Sequence, residues 1–288
     1  MSKKQLNLTC ALRDGKPVDI EDVESGLKCG CVCPVCGETL VAKKGMKLIH
    51  HFAHYSGNTC EYGYETSLHM LAKEILSETK EITIPPVYIS FPSSSKEKQL
   101  YSPAKTISVD RVELETHFGN VVPDVVIYTG GKKLFLKIYV AHPISKATLF
   151  KLKKENISSI RINLSKIEHT ITRQELHNIL LQDYPEKKWN YNSKANEILN
   201  EFYAVSDKKP LVHRAKRIYC PFCSHIWPQK VYPDFMADCS RCPYCMKYFS
   251  YEGEYTAILC SERNRISTLK DLKNWKKRHN IVTQLCLS

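Results

Sequence analysis

Three Cys-Pro-x-Cys motifs, which begin at Cys33, Cys220 and Cys242, indicate that this chain folds around bound metal. Two cysteines at this spacing form a tight turn that presents both sulfurs together, and two such halves complete a tetrahedral zinc site. Thirteen cysteines also suit the disulfides of a secreted protein, but their clustering in pairs favours zinc thiolates in a reducing compartment. The sequence therefore predicts two structural Zn²⁺ sites, one near each end of the chain.

The rest of the composition is typical of a folded cytoplasmic protein. Hydrophobic residues make up 43% and charged residues 25% of the 288 residues, which is ordinary for globular domains. No apolar run approaches the ~20 residues that span a bilayer, and the first ten residues lack the apolar stretch of a secretory signal. We therefore expect a cytoplasmic location and no membrane partner.

The first predicted zinc site combines the turn at Cys33 with ligands that follow it in the chain. The predicted ligands are Cys33, Cys36, His54 and Cys60. His51 is an alternative to His54. Cys29 or Cys31 enters the site if the register shifts. Four protein ligands leave no open coordination position, so this zinc is expected to be structural rather than catalytic.

The second predicted zinc site lies near the other end, where two Cys-Pro-x-Cys motifs of one design indicate a zinc ribbon. Its predicted ligands are Cys220, Cys223, Cys242 and Cys245, with Cys239 as an alternate. Residues 206–210 have the composition of a linker in front of the ribbon. Leu269, Leu272 and Trp275 have the spacing of one face of a C-terminal helix. Cys260 has no evident partner.

Aromatic residues are frequent in and around this predicted ribbon. The favoured interpretation is that they form the ribbon's own core. They could also stack on unpaired bases, or provide a docking surface for a protein partner.

Between the zinc segments the pattern changes to alternating strands and helices. We predict a helix at 64–79, strands at 81–91, 107–117, 121–128 and 132–141, a basic helix at 145–154, a strand at 157–164 and a helix at 173–181. Strand, helix and strand in this order imply a crossover, so the sheet is mixed and the fold class is α/β. We expect an N-terminal zinc-binding segment in residues 1–62, the α/β core in 63–205, and the zinc ribbon with a basic helical tail in 206–288.

The glycine pair at 130–131 predicts a two-residue hairpin turn between two of these strands. With these glycines as the loop, Thr129 faces Lys132. Counting outward places Asp124 directly opposite Lys137, with Cβ atoms about 4.5–5.5 Å apart. The turn therefore predicts the register of the whole hairpin.

Three polar residues, Glu65, His69 and Lys73, fall four apart on one stripe of the first predicted helix. Side chains at this spacing lie above one another on the helix surface. The stripe either lines a cleft or forms a solvated face with internal ion pairs. Taken alone, the solvated face is the favoured interpretation.

Five motifs follow one another in a definite order along the first part of the chain. They are Cys33-Pro-x-Cys36, His51-Phe-Ala-His54, Glu65-x-x-x-His69-x-x-x-Lys73, Pro123-Asp124, and a hydrophobic strand that ends in Val140-Ala-His142-Pro143. This order resembles the competence protein CoiA family and its nuclease-like domain, over roughly residues 8–165. The resemblance is most specific in the zinc segment. It implies a PD-(D/E)xK core, that is, a restriction-endonuclease-like mixed sheet flanked by two zinc-ribbon-like units.

The resemblance also implies a metal-dependent nuclease-like domain associated with DNA uptake and recombination. In an active member, carboxylates on the two hairpin strands hold Mg²⁺ or Mn²⁺, which activates the attacking water. By position in the motifs, Asp124 is one metal ligand and Glu65 an outer carboxylate. His69, Lys73 and His142 are expected to support them.

This sequence departs from the family's pattern at Lys137, where the second acidic ligand is expected. An ammonium at this position pairs with Asp124 and repels a divalent cation. Either the second carboxylate has migrated to Glu113 or Glu115, or catalysis has been lost. The sequence thus leaves open a nuclease acting in DNA uptake, processing or defence, and an inactive relative that binds nucleic acid or protein partners.

A formal net charge of +12 favours nucleic acid as the partner, and the resemblance implies that this nucleic acid is DNA. Basic charge supplies salt-dependent attraction to phosphates without reading the base sequence, and many basic faces are only solvated. The candidate nucleic-acid-binding residues are Lys151, Lys153, Lys154, Arg263, Arg265, Lys273, Lys276, Lys277 and Arg278.

Overall fold

The computed structural model describes residues 8, 10–58, 60, 62–91, 97–119, 121–140, 145–167, 171–223 and 231–279. None of the helices in these ranges has the length and apolar character that crossing a membrane requires.

The described residues form short strands and five α-helices. The strands are Cys10–Arg13 (β1), Lys16–Asp19 (β2), Leu40–Lys43 (β3), His51–His54 (β4), Glu81–Ile84 (β5), Val87–Ile89 (β6), Gln99–Ser102 (β7), Lys105–Ser108 (β8), Arg111–Leu114 (β9), Val125–Thr129 (β10), Lys132–Tyr139 (β11), Ser159–Asn163 (β12), Lys187–Tyr191 (β13), Asp207–Pro210 (β14), Val212–Arg214 (β15), Arg217–Tyr219 (β16), Cys245–Tyr251 (β17) and Glu254–Cys260 (β18). The helices are Gly63–Ser77 (α1), Lys146–Lys154 (α2), Arg173–Leu181 (α3), Ser193–Ala204 (α4) and Leu269–Arg278 (α5).

The chain divides into two compact units. The first comprises Met1–Pro85 and Ala104–Asn192, and the second comprises Pro86–Pro103 and Ser193–Ser288. This division differs from the three predicted segments, because the N-terminal residues belong to the same unit as the α/β core. One reason is a reciprocal contact between β1 and α1: the Cys10 amide donates to the Ser67 hydroxyl, which donates back to the Cys10 carbonyl, each at 2.8 Å.

The first unit is built on a five-stranded sheet in the order β13-β12-β11-β10-β9. Strands β11 and β12 are parallel and are joined through α2, whereas the other neighbours are antiparallel. The predicted mixed sheet of an α/β domain is therefore confirmed. Alternate residues of β11 enter different cores: Leu136 packs in a cluster with Leu68 of α1, while Phe135 packs in another with Leu152 of α2.

The hairpin of β10 and β11 has the predicted register. Gly130 and Gly131 have positive φ angles of 52° and 73°, as a type I′ turn requires. Thr129 pairs with Lys132, and the ladder continues to its last pair at Val125 and Leu136. The next position outward brings Asp124 and Lys137 together.

The predicted strand at 81–91 is divided at Pro85-Pro86. Its first part, β5, pairs with β8 in the first unit, and its second part, β6, pairs with β7 in the second unit. Proline donates no backbone hydrogen bond, so two consecutive prolines interrupt a strand.

The second unit contains a three-stranded sheet in the order β14-β18-β17. The prediction of a linker at 206–210 was wrong, because β14 pairs with β18 from Asp207 opposite Cys260 to Pro210 opposite Ala257. Helix α4, which the sequence analysis did not predict, buries Phe202 against Phe91 with ring centroids 4.8 Å apart.

Candidate metal centre and candidate active site

A cluster of three cysteines and one histidine forms at the end of β4 and the start of α1. Its members are the predicted ligands Cys33, Cys36, His54 and Cys60, and their ligand atoms all lie within 4.8 Å of one another. In a tetrahedral site with Zn–S bonds of about 2.3 Å, neighbouring sulfurs are about 3.8 Å apart. The cluster can therefore hold a metal ion such as zinc with little movement.

His54, rather than His51, belongs to the cluster. His54 Nε2 lies 3.3 Å from Cys36 Sγ, whereas His51 Nδ1 lies 2.8 Å from the carbonyl oxygen of Ile49. Three residues apart on β4, the two rings point to opposite sides of the strand.

The cysteines that precede the cluster have other partners. The Cys29 thiol donates to the carbonyl of Leu40 at 3.3 Å, and the Cys31 thiol donates to the carbonyl of Cys29 at 3.2 Å. Both are buried. Neither Cys29 nor Cys31 therefore belongs to the metal centre. The alternative with a shifted register is not adopted.

Asp124 is the centre of the candidate active site and is only 6% exposed. Its Oδ1 accepts from Lys137 Nζ at 2.6 Å, and its Oδ2 accepts from the Ile138 amide at 2.7 Å and lies 3.3 Å from His69 Nε2. Burial raises the pKa of Asp124, but the hydrogen bonds and charges of His69 and Lys137 outweigh burial and hold that pKa below its usual value. The carboxylate is therefore ionised and already satisfied by protein donors.

The polar stripe of α1 faces this site, so the favoured interpretation of a solvated face was wrong for two of its three residues. His69 contacts Asp124, and Lys73 Nζ lies 2.8 Å from Glu115 Oε1. Glu65, one turn earlier, is half-buried and has no hydrogen bond or ion pair with any residue that the structure describes. His69 and Lys73 thus face these two acids and not water alone.

The two acids proposed as migrated ligands differ in position. Glu115 is next to the site: its amide donates to the carbonyl of Asp124 at 3.1 Å. A hydrogen bond and the charge of Lys73 lower the pKa of Glu115. Glu113 instead accepts from Arg111 and, at 2.8 Å, from the Tyr128 hydroxyl.

One more residue assigned to this site, His142, lies outside the described residues, as does Pro143.

The metal centre lies within the segment that relates this chain to a known family. Residues 19–63 match the family model of the competence protein CoiA, N-terminal domain. This CoiA-like segment contains all four residues of the metal cluster and ends at the first residue of α1. No curated protein and no solved structure matches the chain. The match supports a CoiA-like protein and leaves the sheet and the second unit to be interpreted from their own residues.

Outside the CoiA-like segment, the cysteines of the predicted ribbon converge on one small cavity. It has a volume of about 10 Å³ and is lined by Cys220, Cys223, Cys239, Cys242, Cys245 and Cys260, with Ile258 and Glu262. Cys260 lies opposite Cys245 in the pairing of β17 with β18. Sequence reasoning missed Cys260 because it lies in no motif, and only the sheet brings it to the others.

The candidate nucleic-acid-binding residues lie mainly at the C-terminal ends of two helices. Lys151, Lys153 and Lys154 form the last turn of α2, and Lys276, Lys277 and Arg278 form the last turn of α5, where cations interact favourably with the helix dipole. Lys273 and Arg265 are exposed.

Two of these cations are held by acids in the second unit. Lys276 Nζ lies 2.5 Å from Glu201 Oε2, and Arg263 lies 4.0 Å from Asp207. Phe150 of α2, which sequence reasoning missed, is 70% exposed among the lysines of the first unit.

Proposed function

We propose that this protein is a CoiA-like, competence-related protein that binds nucleic acid, and DNA in particular, through a nuclease-like core that does not cleave it. The observation that carries the proposal is the 2.6 Å contact of Lys137 Nζ with Asp124 Oδ1. In a metal-dependent nuclease of this kind, a divalent cation shared by two acids would occupy the position of that ammonium.

The two candidate second acids reinforce this interpretation, because each one is already paired with a cation. Glu115 is held by Lys73, and Glu113 by Arg111. A divalent cation would have to displace Lys137 to bind Asp124 and Lys73 to bind Glu115, because it repels an ammonium at such short distances. The arrangement therefore favours a closed, salt-bridged site over a catalytic one.

The basic surface supplies a means of binding. The last turn of α2 presents Lys153 and Lys154 to solvent, and Phe150 is exposed one turn before them. Lysines attract phosphates, and an exposed aromatic ring offers a stacking platform for an unpaired base. Single-stranded nucleic acid fits this combination best.

We further infer that the Cys₃His cluster of the CoiA-like segment holds zinc. Thiolate and imidazole ligands suit this ion, and four protein ligands close its coordination sphere. The zinc is then structural: it fixes the loop between β4 and α1, and thereby the start of the helix that carries His69 and Lys73.

A second candidate function is an active nuclease whose second acid is Glu115. It is favoured by the hydrogen bond from the Glu115 amide to the Asp124 carbonyl, which places the two residues side by side. In that case Mg²⁺ or Mn²⁺ would be held by the carboxylates of Asp124 and Glu115, while Glu65 and His69 lie on the facing helix.

The test measures binding and cleavage of labelled single-stranded DNA, double-stranded DNA and RNA with Mg²⁺ or Mn²⁺. The chains are wild type, Asp124→Ala and Lys137→Glu, with Lys132→Glu as a control that makes the same charge change on the same strand. We expect wild type and Lys132→Glu to bind without cleaving. We expect Lys137→Glu to show metal-dependent cleavage.

Two results would overturn the proposal. Cleavage by wild type that Asp124→Ala abolishes would establish the nuclease with a relocated acid. Failure of the wild type to bind any of the three nucleic acids would leave a zinc-stabilised protein that acts through protein partners, for which the ribbon is the candidate surface.

A further inference from the structure

We propose that the second unit holds one zinc ion in a Cys₄ site formed by Cys220, Cys223, Cys242 and Cys245, and that Cys239 and Cys260 stay as unligated thiols beside it. The inference concerns how the second unit folds and does not depend on nucleic-acid binding.

The cavity among these thiols has the size of a single ion. Its volume of about 10 Å³ corresponds to roughly one water-sized sphere. Cys220, Cys239, Cys245 and Cys260 are each 5% exposed or less, and none of the six cysteines is joined in a disulfide. Six thiols around a space for one atom are typical of a metal site.

The first metal centre shows what a Cys-Pro-x-Cys motif does in this chain. There, the Val35 amide donates to Cys33 Sγ at 3.5 Å. At the same place in the second unit, the Phe222 amide donates to Cys220 Sγ. Such N–H···S bonds orient sulfurs toward a common centre and stabilise them as thiolates. The motif at Cys242 has the same sequence design, and its turn is closed by the Cys245 amide on the Cys242 carbonyl at 3.1 Å.

The two remaining cysteines have positions that suit neighbours of the ligands. Cys239 is followed by Ser240 instead of proline, lies in the 3-10 turn Cys239–Arg241, and hydrogen-bonds Cys220. Cys260 is the last residue of β18, where the sheet fixes its backbone opposite Cys245. A thiol that donates its S–H to a thiolate ligand stabilises the charge of that ligand.

The apolar core around this cavity also indicates that this part of the second unit needs an ion. Four of the seven buried residues in this cluster are cysteines, and the others are Leu211, Phe235 and Ile258. So few large apolar side chains contribute little burial energy, and a small lobe of this kind is commonly stabilised by metal.

The first experiment counts zinc in the full-length chain by native mass spectrometry. We expect two ions in wild type, one in Cys36→Ser, one in Cys242→Ser and none in the double variant. Cys239→Ser and Cys260→Ser should each retain two. Absence of zinc from Cys36→Ser would overturn the proposal, and loss of an ion in Cys239→Ser or Cys260→Ser would overturn the ligand assignment.

A second measurement identifies the ligands of the ion that each variant keeps. With Co²⁺ in place of zinc, the ion left in Cys36→Ser should have four thiolate ligands, and the ion left in Cys242→Ser should have three thiolates and one imidazole. Thiolate-to-cobalt absorption per ion should therefore be stronger in Cys36→Ser. Equal absorption in the two variants would contradict a Cys₄ site.

Discussion

The ammonium of Lys137 lies 2.6 Å from Oδ1 of Asp124, at the position directly beyond the last pair of the β10–β11 ladder. A glycine pair six residues from either partner sets this contact, because the two-residue turn fixes which residues of the two strands face each other. Register, burial and charge therefore combine in one contact that decides how the candidate active site is interpreted.

Removing this ammonium should destabilise the protein in a pH-dependent way. In Lys137→Met the Asp124 carboxylate stays buried with one partner fewer, and we expect a loss of about 1–3 kcal/mol in unfolding free energy near neutral pH, since water reaches the half-exposed lysine position. Urea unfolding of wild type and variant measures the difference. The control is Lys132→Met, at the exposed end of the same strand, which should change stability by less than about 0.5 kcal/mol.

The sign of the pH dependence follows from the depressed pKa of Asp124. In wild type, Asp124 contributes stability that is complete above its unfolded pKa of about 3.9 and is lost as pH falls through its lower folded pKa. In Lys137→Met burial is less opposed, so the pKa of Asp124 rises and the folded variant takes up a proton at a higher pH than wild type does. The stability gap should therefore become smaller as the pH is lowered from neutral into the acidic range. A gap independent of pH would show that the contact is not electrostatic.

The hairpin register and the ligands of the first metal centre could be read from the sequence, because each depends on residues close together in the chain. A glycine pair defines its turn, and a Cys-Pro-x-Cys motif defines its own geometry. The choice between His51 and His54 could not be made, since both lie within reach of the motif. The choice depends on which side of β4 faces the motif.

The features that could not be predicted from the sequence depend on contacts between distant segments. The stripe on α1 has the same pattern whether it faces water or a cleft, and Lys73 finds Glu115 42 residues away. Cys260 joins the other cysteines only through the pairing of β17 with β18. In both cases the deciding partner comes from another element. The exposure of Phe150 could not be predicted from the charge pattern of α2.

Gly63 should control metal affinity at the first centre. A Cβ at this first residue of α1 would lie 3.2 Å from the Cβ of Cys60 and 3.1 Å from Leu8, closer than side-chain atoms normally approach. Gly63→Ala should therefore displace Cys60 and weaken zinc binding by about tenfold, as changes beside metal ligands commonly do. Competition with a chromophoric chelator measures the affinity.

The matched control for Gly63 is Gly45→Ala, since Gly45 lies in the same segment and has open space where its Cβ would be. We expect this variant to keep wild-type zinc affinity. Equal affinities for Gly63→Ala and wild type would mean that Cys60 adapts freely or does not bind the ion.

Lys187 should make stability rise with pH on the alkaline side. This side chain is 2% exposed, and its ammonium donates to the carbonyls of Gln182 at 2.5 Å and Thr83 at 3.1 Å. Burial lowers the pKa of Lys187 to about 8, against about 10.4 in an unfolded chain. Between these values the unfolded state binds more protons, so stability increases with pH, by up to about 3 kcal/mol.

Comparison with Lys187→Met isolates this effect, because other groups titrate alike in both chains. The unfolding free energy of wild type minus that of the variant should rise from about pH 8 to about pH 10. Lys188→Met, an exposed neighbour that contacts Glu186, should give a flat difference over the same range. A flat difference for Lys187→Met would mean that the amine keeps its proton in the folded state over this pH range, as a well-hydrated amine does.

Phe150 should contribute base stacking to the binding of single-stranded DNA. On α2 it shares one face with Lys146, Lys153 and Lys154, at helical offsets of four, three and four residues, while Leu152 is 2% exposed and packs toward the sheet. Stacking on one base is worth about 1–3 kcal/mol. Phe150→Ala should therefore weaken binding by about 5- to 160-fold in fluorescence anisotropy with labelled single-stranded DNA, without changing the salt dependence, because no phosphate contact is removed.

A lysine control distinguishes stacking from charge. Lys154→Gln should lower affinity and reduce the slope of log affinity against log salt by about one, whereas Phe150→Leu should behave like Phe150→Ala if the aromatic face is what matters. Unchanged DNA affinity for Phe150→Ala, together with lost binding to anionic vesicles, would instead assign this helix face to a lipid surface, because an apolar ring among lysines also suits the membrane interface.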